Sequence, residues 1–506
     1  MIEEIFAGLG PRYAEAREMQ RNILIKIARE LGTISSTKLG RLTMLELPTG
    51  IGKSAIAISL AELIGSPFTV INTATISLQN QYDADFPRVC KLVGRDNFEC
   101  TLRYKTTAAN APCVADSSIS CNSDFYAQEE EYRRSAVVVT NYALYMSELL
   151  KGKRWHERRP HLLVCDEGHR LLDFLTQAET ITVDRRLCEK LNLKVPASNE
   201  IEPMQTWAKL NVDKVRKRAF GLTLSGSKWA KAWLSLMYQL QGLATSPAGL
   251  IVTRADDLFE ATPLWPRKSA ESLLQSANHV LVMSATLWGG DFFAELLGYK
   301  DDYKYISAPS PFDKWRWPVY YRPVASMNKD SSVKDWERMG LACHEYIHSR
   351  SGDKGIIHVA SVSQVDRLAR TILRCQDCRS RLVLLRRGGK RVETLDRFRA
   401  SKAGWIIHPS IGEGESFDDE QCRIQLIAKI RYPDLADPLV NLRANDGGMG
   451  QKFYFNSTAA YTSQTIGRGM RSADDYCETY ILDGSFANLY DRNKKAFPQW
   501  FHDQLR

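Results

Sequence analysis

No apolar run in the 506-residue chain approaches the length that crosses a bilayer, and the opening Met1-Ile2-Glu3-Glu4 is acidic where a secretory leader would be basic and then apolar. The expectation is an intracellular, cytoplasmic protein with no membrane partner. Low-complexity tracts and internal repeats are missing too, which sets aside a fibre, a repeat array or a disordered chain. Hydrophobic residues at 44% and charged residues at 25% are ordinary for globular domains, and the length allows about two to four of them. In a reducing compartment the eleven cysteines read as buried apolar residues or metal ligands rather than disulfides. A net charge of +9 with a pI near 8.9 permits a polyanionic partner without demanding one. Basic clusters at 151–159, 214–218 and 386–391 read singly as solvated faces.

What the chain does carry is Glu46-Leu47-Pro48-Thr49-Gly50-Ile51-Gly52-Lys53-Ser54, set between an apolar run at 42–47 and an Ala/Ile/Leu segment that continues to Ile64. This is the pattern of strand, phosphate loop and helix. Gly50 and Gly52 let several N–H groups point inward, and the helix start adds its positive dipole end at the same spot. Lys53 is then expected at the outer phosphates and Ser54 at magnesium. The further glycine usual in such loops is replaced by Leu47, and the plainer alternative is a strand-to-helix turn with a surface lysine. A second apolar run, 162–165, suits a strand buried on both faces and ends in Asp166-Glu167-Gly168-His169. Beside a phosphate loop, Asp166 would hold magnesium through its water shell and Glu167 would orient and deprotonate the attacking water. His169 would sense the terminal phosphate or link the site to another domain. The alternative is a plain acidic loop. Late in the chain, Arg468 and Arg471 stand three apart with Gln464 one turn earlier, a spacing that puts them on one helix face able to reach a phosphate across a cleft. Alone, such a run would be a surface helix.

Strands are expected at 42–47, 68–72, 136–140, 162–165, 279–283, 355–359, 405–408, 423–427 and 478–483, with helices between them. That alternation predicts an α/β fold with two doubly wound domains. The first comprises 1–85, 131–182 and 263–310, and the second 311–506. Two insertions interrupt the first. One, 86–130, bears Cys90, Cys100, Cys113 and Cys121; the other, 183–262, reads as mostly helical, with Trp207, Trp229 and Trp233 among basic residues. These tryptophans read as core rather than as stacking platforms for a nucleic acid strand. Cys375 and Cys378 read as two unpaired thiols near a helix end.

In order and spacing these residues resemble the superfamily 2 helicases, and within them the iron-sulfur branch typified by XPD and DinG, over most of the chain. Arg17 and Gln20 sit where the family's adenine-side glutamine motif lies, and 48–54 matches motif I. Thr73-Ala74-Thr75 with Leu78 and Gln81 resembles motif Ia, Asp166 to His169 is a DEAH box with Gly168 in place of Ala, Ser284-Ala285-Thr286-Leu287 is motif III, a Ser310-Pro311-Phe312 turn follows it, and 464–471 looks like motif VI. The resemblance implies two RecA-like motor domains with parallel sheets, ATP and Mg2+ bound between them, and 5′ to 3′ movement along single-stranded DNA. The cysteine insertion and the helical arch-like insertion would split a forked duplex, in DNA repair or replication. It also implies strand contacts at Thr73, Gln81, Asn141, Ser361 and Arg431, and a [4Fe-4S] cluster on Cys100, Cys113 and Cys121 with Cys90 or a non-cysteine residue as fourth ligand. Zinc, or no metal, are the alternatives for that insertion. A monomeric motor recruited by a larger nucleic-acid complex would suit a compact bacterial, plasmid or phage member. Motif V departs from the family, with Ser416 in Glu413-Gly414-Glu415-Ser416 where an acid is usual. Two rivals follow: an ATPase-like clamp that holds a single strand and recruits partners with little unwinding, and an RNA helicase of the DEAH type.

Overall fold

A computed structural model describes the chain apart from residues 11, 12, 14, 34–40, 104, 116–118, 120, 151–153, 225–228, 255, 256, 301, 387, 388, 410–416, 418 and 471–474, and apart from the side chains of 31–33, 110, 115, 154, 156, 224 and 419. The apolar runs form the strands. In chain order β1 (Arg41–Glu46), β2 (Thr69–Thr73), β3 (Cys90–Lys91), β4 (Val137–Asn141) and β5 (Leu162–Asp166) come first. A small group follows, β6 (Ile181–Asp184), β7 (Ile251–Arg254) and β8 (Leu258–Thr262), before β9 (His279–Ser284) and β10 (Lys304–Ser307). The second half supplies β11 (Val319–Ala325), β12 (Gly355–His358), β13 (Leu382–Leu384), β14 (Trp405–His408), β15 (Ile424–Ile427) and β16 (Glu478–Asp483).

Seven strands make one parallel sheet in the order β10-β1-β9-β5-β2-β4-β3, and six make another in the order β11-β16-β15-β12-β14-β13. Helices cover both faces of each sheet, so the chain holds two RecA-like domains. Register fixes what the strand ends share. Glu46 lies beside Ser284, and Asp166 beside Met283, so the carboxyl ends of β1, β9 and β5 stand in a row. That edge is where open parallel sheets bind ligands.

The segment read as mostly helical is a helical hairpin, Ile201–Leu224 and Ala230–Ala244, packed on an antiparallel sheet in the order β6-β8-β7. Its strands are short and were hidden by the helices on either side of them. Trp207 and Trp233 are buried in its core with Phe259, while Trp229 stays half exposed with Lys190 over its ring at 4.7 Å. Edge strands β10, β11 and β13 also escape the apolar pattern; β11 contains Pro323, which an edge tolerates. Among the described residues no helix is long and apolar enough to cross a membrane.

Helix Gly447–Ile466 of the second domain buries Phe453 and Ala460 in the core of the first, against Trp265 and Trp288. Buried Arg443 donates to the Leu264 carbonyl (2.7 Å) and to Thr176 Oγ1 (2.8 Å), and Asn456 donates to the Trp288 carbonyl (3.0 Å). The domains are therefore apposed through an apolar helix face with polar bonds around it.

Glu46, at the end of β1, is wholly buried and accepts from Leu287 N–H (2.7 Å), Tyr305 Oη (2.6 Å) and Ser307 Oγ (3.4 Å). Burial outweighs these donors and raises its carboxyl to about 7. The fold thus keeps this proton up to about pH 7, whereas the unfolded chain releases it near 4.5; the stabilisation is present below pH 4.5 and lost as pH rises through 7. Glu46→Gln should remove that loss. Its stability advantage over the parent should grow by about 3 kcal/mol between pH 4.5 and pH 8, read by denaturant unfolding, and a pH-independent difference would refute the assignment.

A nucleotide cleft between the two domains

The loop after β1 has the conformation its glycines allow, with Gly50 at φ 77° and Gly52 at φ 82° as N-cap of helix Lys53–Leu63. A Cβ on Gly52 would lie 2.7 Å from Gln20 Nε2. Gln20 is buried, accepts from Arg17 N–H (2.9 Å) and donates to the Ile51 carbonyl (2.8 Å), while Arg17 Nη1 donates to the Gly50 carbonyl (2.9 Å). Both residues brace the loop from behind.

Facing the loop, Asp166 is buried and accepts from Tyr82 Oη (3.1 Å) and from Glu167 N–H (2.9 Å), while its carbonyl takes the Tyr142 hydroxyl (2.8 Å). Burial, then the neighbouring Glu167 charge, raise its carboxyl to about 6 against the pull of Lys53. Glu167 goes the other way. Burial alone would push it up, but His169, Lys53 and Arg468 outweigh burial and hold it well below the usual carboxylate range. Two adjacent carboxyls with opposed environments take separate roles. Glu167 also has φ +51°, a strained value for a non-glycine residue, at the turn that follows β5.

From Glu167 a polar chain runs into the second domain. His169 Nδ1 lies 3.3 Å from Glu167 Oε2 and shares a hydrogen bond with Ser284 Oγ (2.9 Å), which accepts from Thr286 N–H (3.3 Å). Gln464 then donates to Thr286 Oγ1 (2.9 Å). Two more bonds cross the cleft: Thr49 donates to the Gly467 carbonyl (2.9 Å), and Trp500 to the Ala285 carbonyl (3.0 Å). Arg468 sits on the 3₁₀ turn Gly467–Gly469 that closes helix Gly447–Ile466, rather than on a continuing helix face. Lys53, Asp166, Glu167, Gln464 and Arg468 thus gather at one cleft. Arg471 lies outside the described residues, as do 413–416.

Residues 13–192 match the family described as type III restriction enzyme, res subunit, and 343–504 match the helicase C-terminal domain. The fold is similar to that of an XPD helicase (TM-score 0.66, 15% identity, 95% of this chain and 98% of the other covered) and of Xpd4 from S. tokodaii (0.61, 14%, 95% and 99%). The ATP-dependent DNA helicase CHL1 of Vanderwaltozyma polyspora is 22% identical over 116 residues, which are 20% of this chain and 14% of that relative. Together these matches support a superfamily 2 helicase of the XPD/DinG-like group.

In this helicase the donor set fits magnesium bound to phosphate: the Ser54 hydroxyl at the helix start and the buried Asp166 carboxylate, with Lys53 between two carboxyls. The cysteine insertion fits its expected group only in part. Cys100 and Cys113 are buried with Ala111, Cys121 packs on them, and hydroxyls approach two of the sulfurs, Thr101 Oγ1 at 3.4 Å from Cys121 and Tyr126 Oη at 3.6 Å from Cys113. Cys90 does not join them. It lies in β3 within the main core of the first domain, where burial raises its thiol to about 12. Three thiols are gathered where a [4Fe-4S] cluster with cysteine ligands takes four.

The proposed strand contacts divide as well. Thr73 is fully buried and donates to the Thr75 and Thr140 carbonyls (both 3.2 Å), which shapes its turn. Asn141 bonds Gln79 (3.1 Å) and accepts from Leu144 N–H (2.9 Å) at a helix start. Gln81 is exposed, Ser361 is half-buried 3.0 Å from Ser363 Oγ, and exposed Arg431 lies 5.4 Å from the Tyr461 ring centroid. Tyr82, Thr286 and Trp500 were missed by sequence reasoning. Thr286 stands within motif III, but its partner is 178 residues away.

Gly168 has a local cause. An alanine Cβ there would lie 2.3 Å from Val282 Cγ1 of β9 and 3.4 Å from Leu287 Cδ2. An alanine at 168 must therefore displace Val282. Gly168→Ala should cost about 1–3 kcal/mol of stability, and in combination with Val282→Ala it should cost clearly less than the sum of the two single changes. A double-mutant cycle by denaturant unfolding measures this; additive costs would contradict the contact.

Proposed function

We propose that the protein hydrolyses Mg-ATP between its two motor domains and uses the cycle to step along single-stranded DNA, 5′ to 3′ by family likeness, opening forked duplexes ahead of it. The observation that carries this reading is the polar chain from Glu167 through His169, Ser284 and Thr286 to Gln464, because it links the hydrolytic carboxylate to the second domain. Lys53 and the loop N–H groups would bind the phosphates, and Ser54 and Asp166 would hold the Mg2+, which supplies charge neutralisation at the transferring phosphate. Glu167, kept ionised, would orient and deprotonate water, and Arg468 would reach the phosphate from the second domain. Departure of inorganic phosphate after hydrolysis would remove negative charge from the cleft, and the crossing bonds at Thr49 and Gln464 would then part. Binding to DNA would be salt-sensitive and largely independent of sequence. The motor would act as a monomer, recruited by a larger nucleic-acid assembly. The three-thiol insertion favours one second reading, an ATPase clamp that holds a strand and unwinds little.

Steady-state ATP hydrolysis with single-stranded DNA, single-stranded RNA or neither tests the assignment. Strong stimulation by DNA, absent in Lys53→Ala, is expected. Glu167→Gln should bind ATP and hydrolyse it about 10²–10⁴-fold more slowly. Stimulation by RNA alone would move the substrate class, and hydrolysis indifferent to both would leave the clamp. Unwinding of 5′-tailed but not 3′-tailed duplex is the expected polarity.

A further inference from the structure

Outside the cleft and the cysteine insertion, one cluster of ligating side chains stands apart. His344 and His348 lie one turn apart near the end of helix Val333–Ser349, their rings stacked with centroids 5.6 Å apart. Cys375 precedes helix Gln376–Arg381 and Cys378 lies in its first turn. The fold brings the two pairs together, so that one ligand atom from each of the four residues lies within 4.8 Å of every other. A tetrahedral zinc ion with two sulfurs and two ring nitrogens separates its ligand atoms by about 3.3–3.8 Å, so side-chain rotations of about 1 Å close the set.

We propose that His344, His348, Cys375 and Cys378 form a Cys2His2 zinc site in the second motor domain. The spacing within each pair, His-x3-His on a helix and Cys-x2-Cys at a turn, is that of structural zinc modules. The second pair that the sequence around 375–378 lacks comes from a helix 26 residues upstream, with no signal in the intervening chain. A two-iron centre would spread the histidines and cysteines over two metal atoms, whereas all four ligand atoms here lie within 4.8 Å of one another. With four protein ligands the coordination is closed, which makes the site structural rather than catalytic.

Its surroundings agree. Asp377, between the two cysteines, places Oδ2 3.7 Å from His348 Nδ1, the carboxylate–imidazole pairing that orients ligating rings. Arg381 donates to the carbonyls of Ile347, Arg350 (3.2 Å) and Ser351 (3.0 Å), and so already ties the end of the histidine helix to the cysteine helix. Cys378 is buried in the same apolar cluster as Cys343 and Ile347, and Cys375 packs on that cluster. β13, the edge strand of the sheet, begins directly after Arg381. A metal there would fasten the histidine helix to the turn that launches the edge strand.

Elemental analysis of the full-length protein, purified without added metal, comes first, followed by exchange with Co2+. Stoichiometric zinc is expected, together with the visible absorption bands of tetrahedral Co2+ bound by thiolates. The His348 ring is 63% exposed and Cys375 half-buried, so His348→Ala/Cys375→Ser spares the core. This variant should lose both the zinc and the Co2+ bands, whereas a chain with Cys100, Cys113 and Cys121 all changed to Ser should keep both. Chelation should lower the thermal midpoint of the parent and leave that of the double variant unchanged. The proposal is overturned by a Cys375–Cys378 disulfide in the purified protein, by a folded metal-free chain that gives no bands with Co2+, or by zinc that persists in the double variant.

Discussion

The cleft depends on one constraint: Glu167 must stay charged in a buried place. Burial works against that charge, and each group that offsets burial comes from a different part of the chain: His169 from the same turn, Lys53 from the phosphate loop, Arg468 from the second domain. Of these groups only Lys53 offsets burial at Asp166, beside the like charge of Glu167, and its carboxyl sits higher, at about 6. Moving Lys53 or Arg468 away would raise the cost of ionising Glu167, so its low pKa depends in part on a residue of the second domain.

Among the described residues three bonds that span the cleft are neutral, Gln464 to Thr286, Thr49 to the Gly467 carbonyl and Trp500 to the Ala285 carbonyl. Each contributes about 1 kcal/mol net, because water replaces it when the cleft opens. The apolar contact of helix Gly447–Ile466 with the first domain is of another kind. Exposing Phe453 and Ala460 to water has no compensating partner. The two domains thus meet through polar bonds at the cleft and through apolar packing to one side of it.

Much of this was legible in the sequence where chemistry is local. The phosphate loop, the acidic turn and the central strands are short patterns whose meaning lies in adjacent residues, and nine runs of apolar residues fell on strands. Edge strands were not legible, since a strand with solvent on one side needs no continuous apolar run. Motif residues were legible by position, while their local bonds were not. Thr73 and Asn141 turn their polar groups inward to build the turns that follow β2 and β4, and only the fold shows that those groups are spent. Gln20 braces the loop carbonyls for the same reason. Cys90 shows the converse: a thiol read as part of the insertion pairs with β4 and belongs to the sheet.

The two faces of the second sheet divide the labour that the sequence leaves mixed. One face carries Ile466, Met470 and Trp500, the residues that aim motif VI at the cleft, over Ile356, Ile406 and Ile481. The other packs Met339, Cys343, Ile347 and Cys378 over Ile357, Ile407 and Leu482. Alternation along each strand sends neighbouring residues to opposite faces, which is how one sheet serves both cores. Gly355 shows how tight the join between strands is, because a Cβ there would lie 2.4 Å from the Trp405 ring. The cysteines of the clustered histidines and cysteines belong to the second face, opposite the one that carries the residues meeting the cleft.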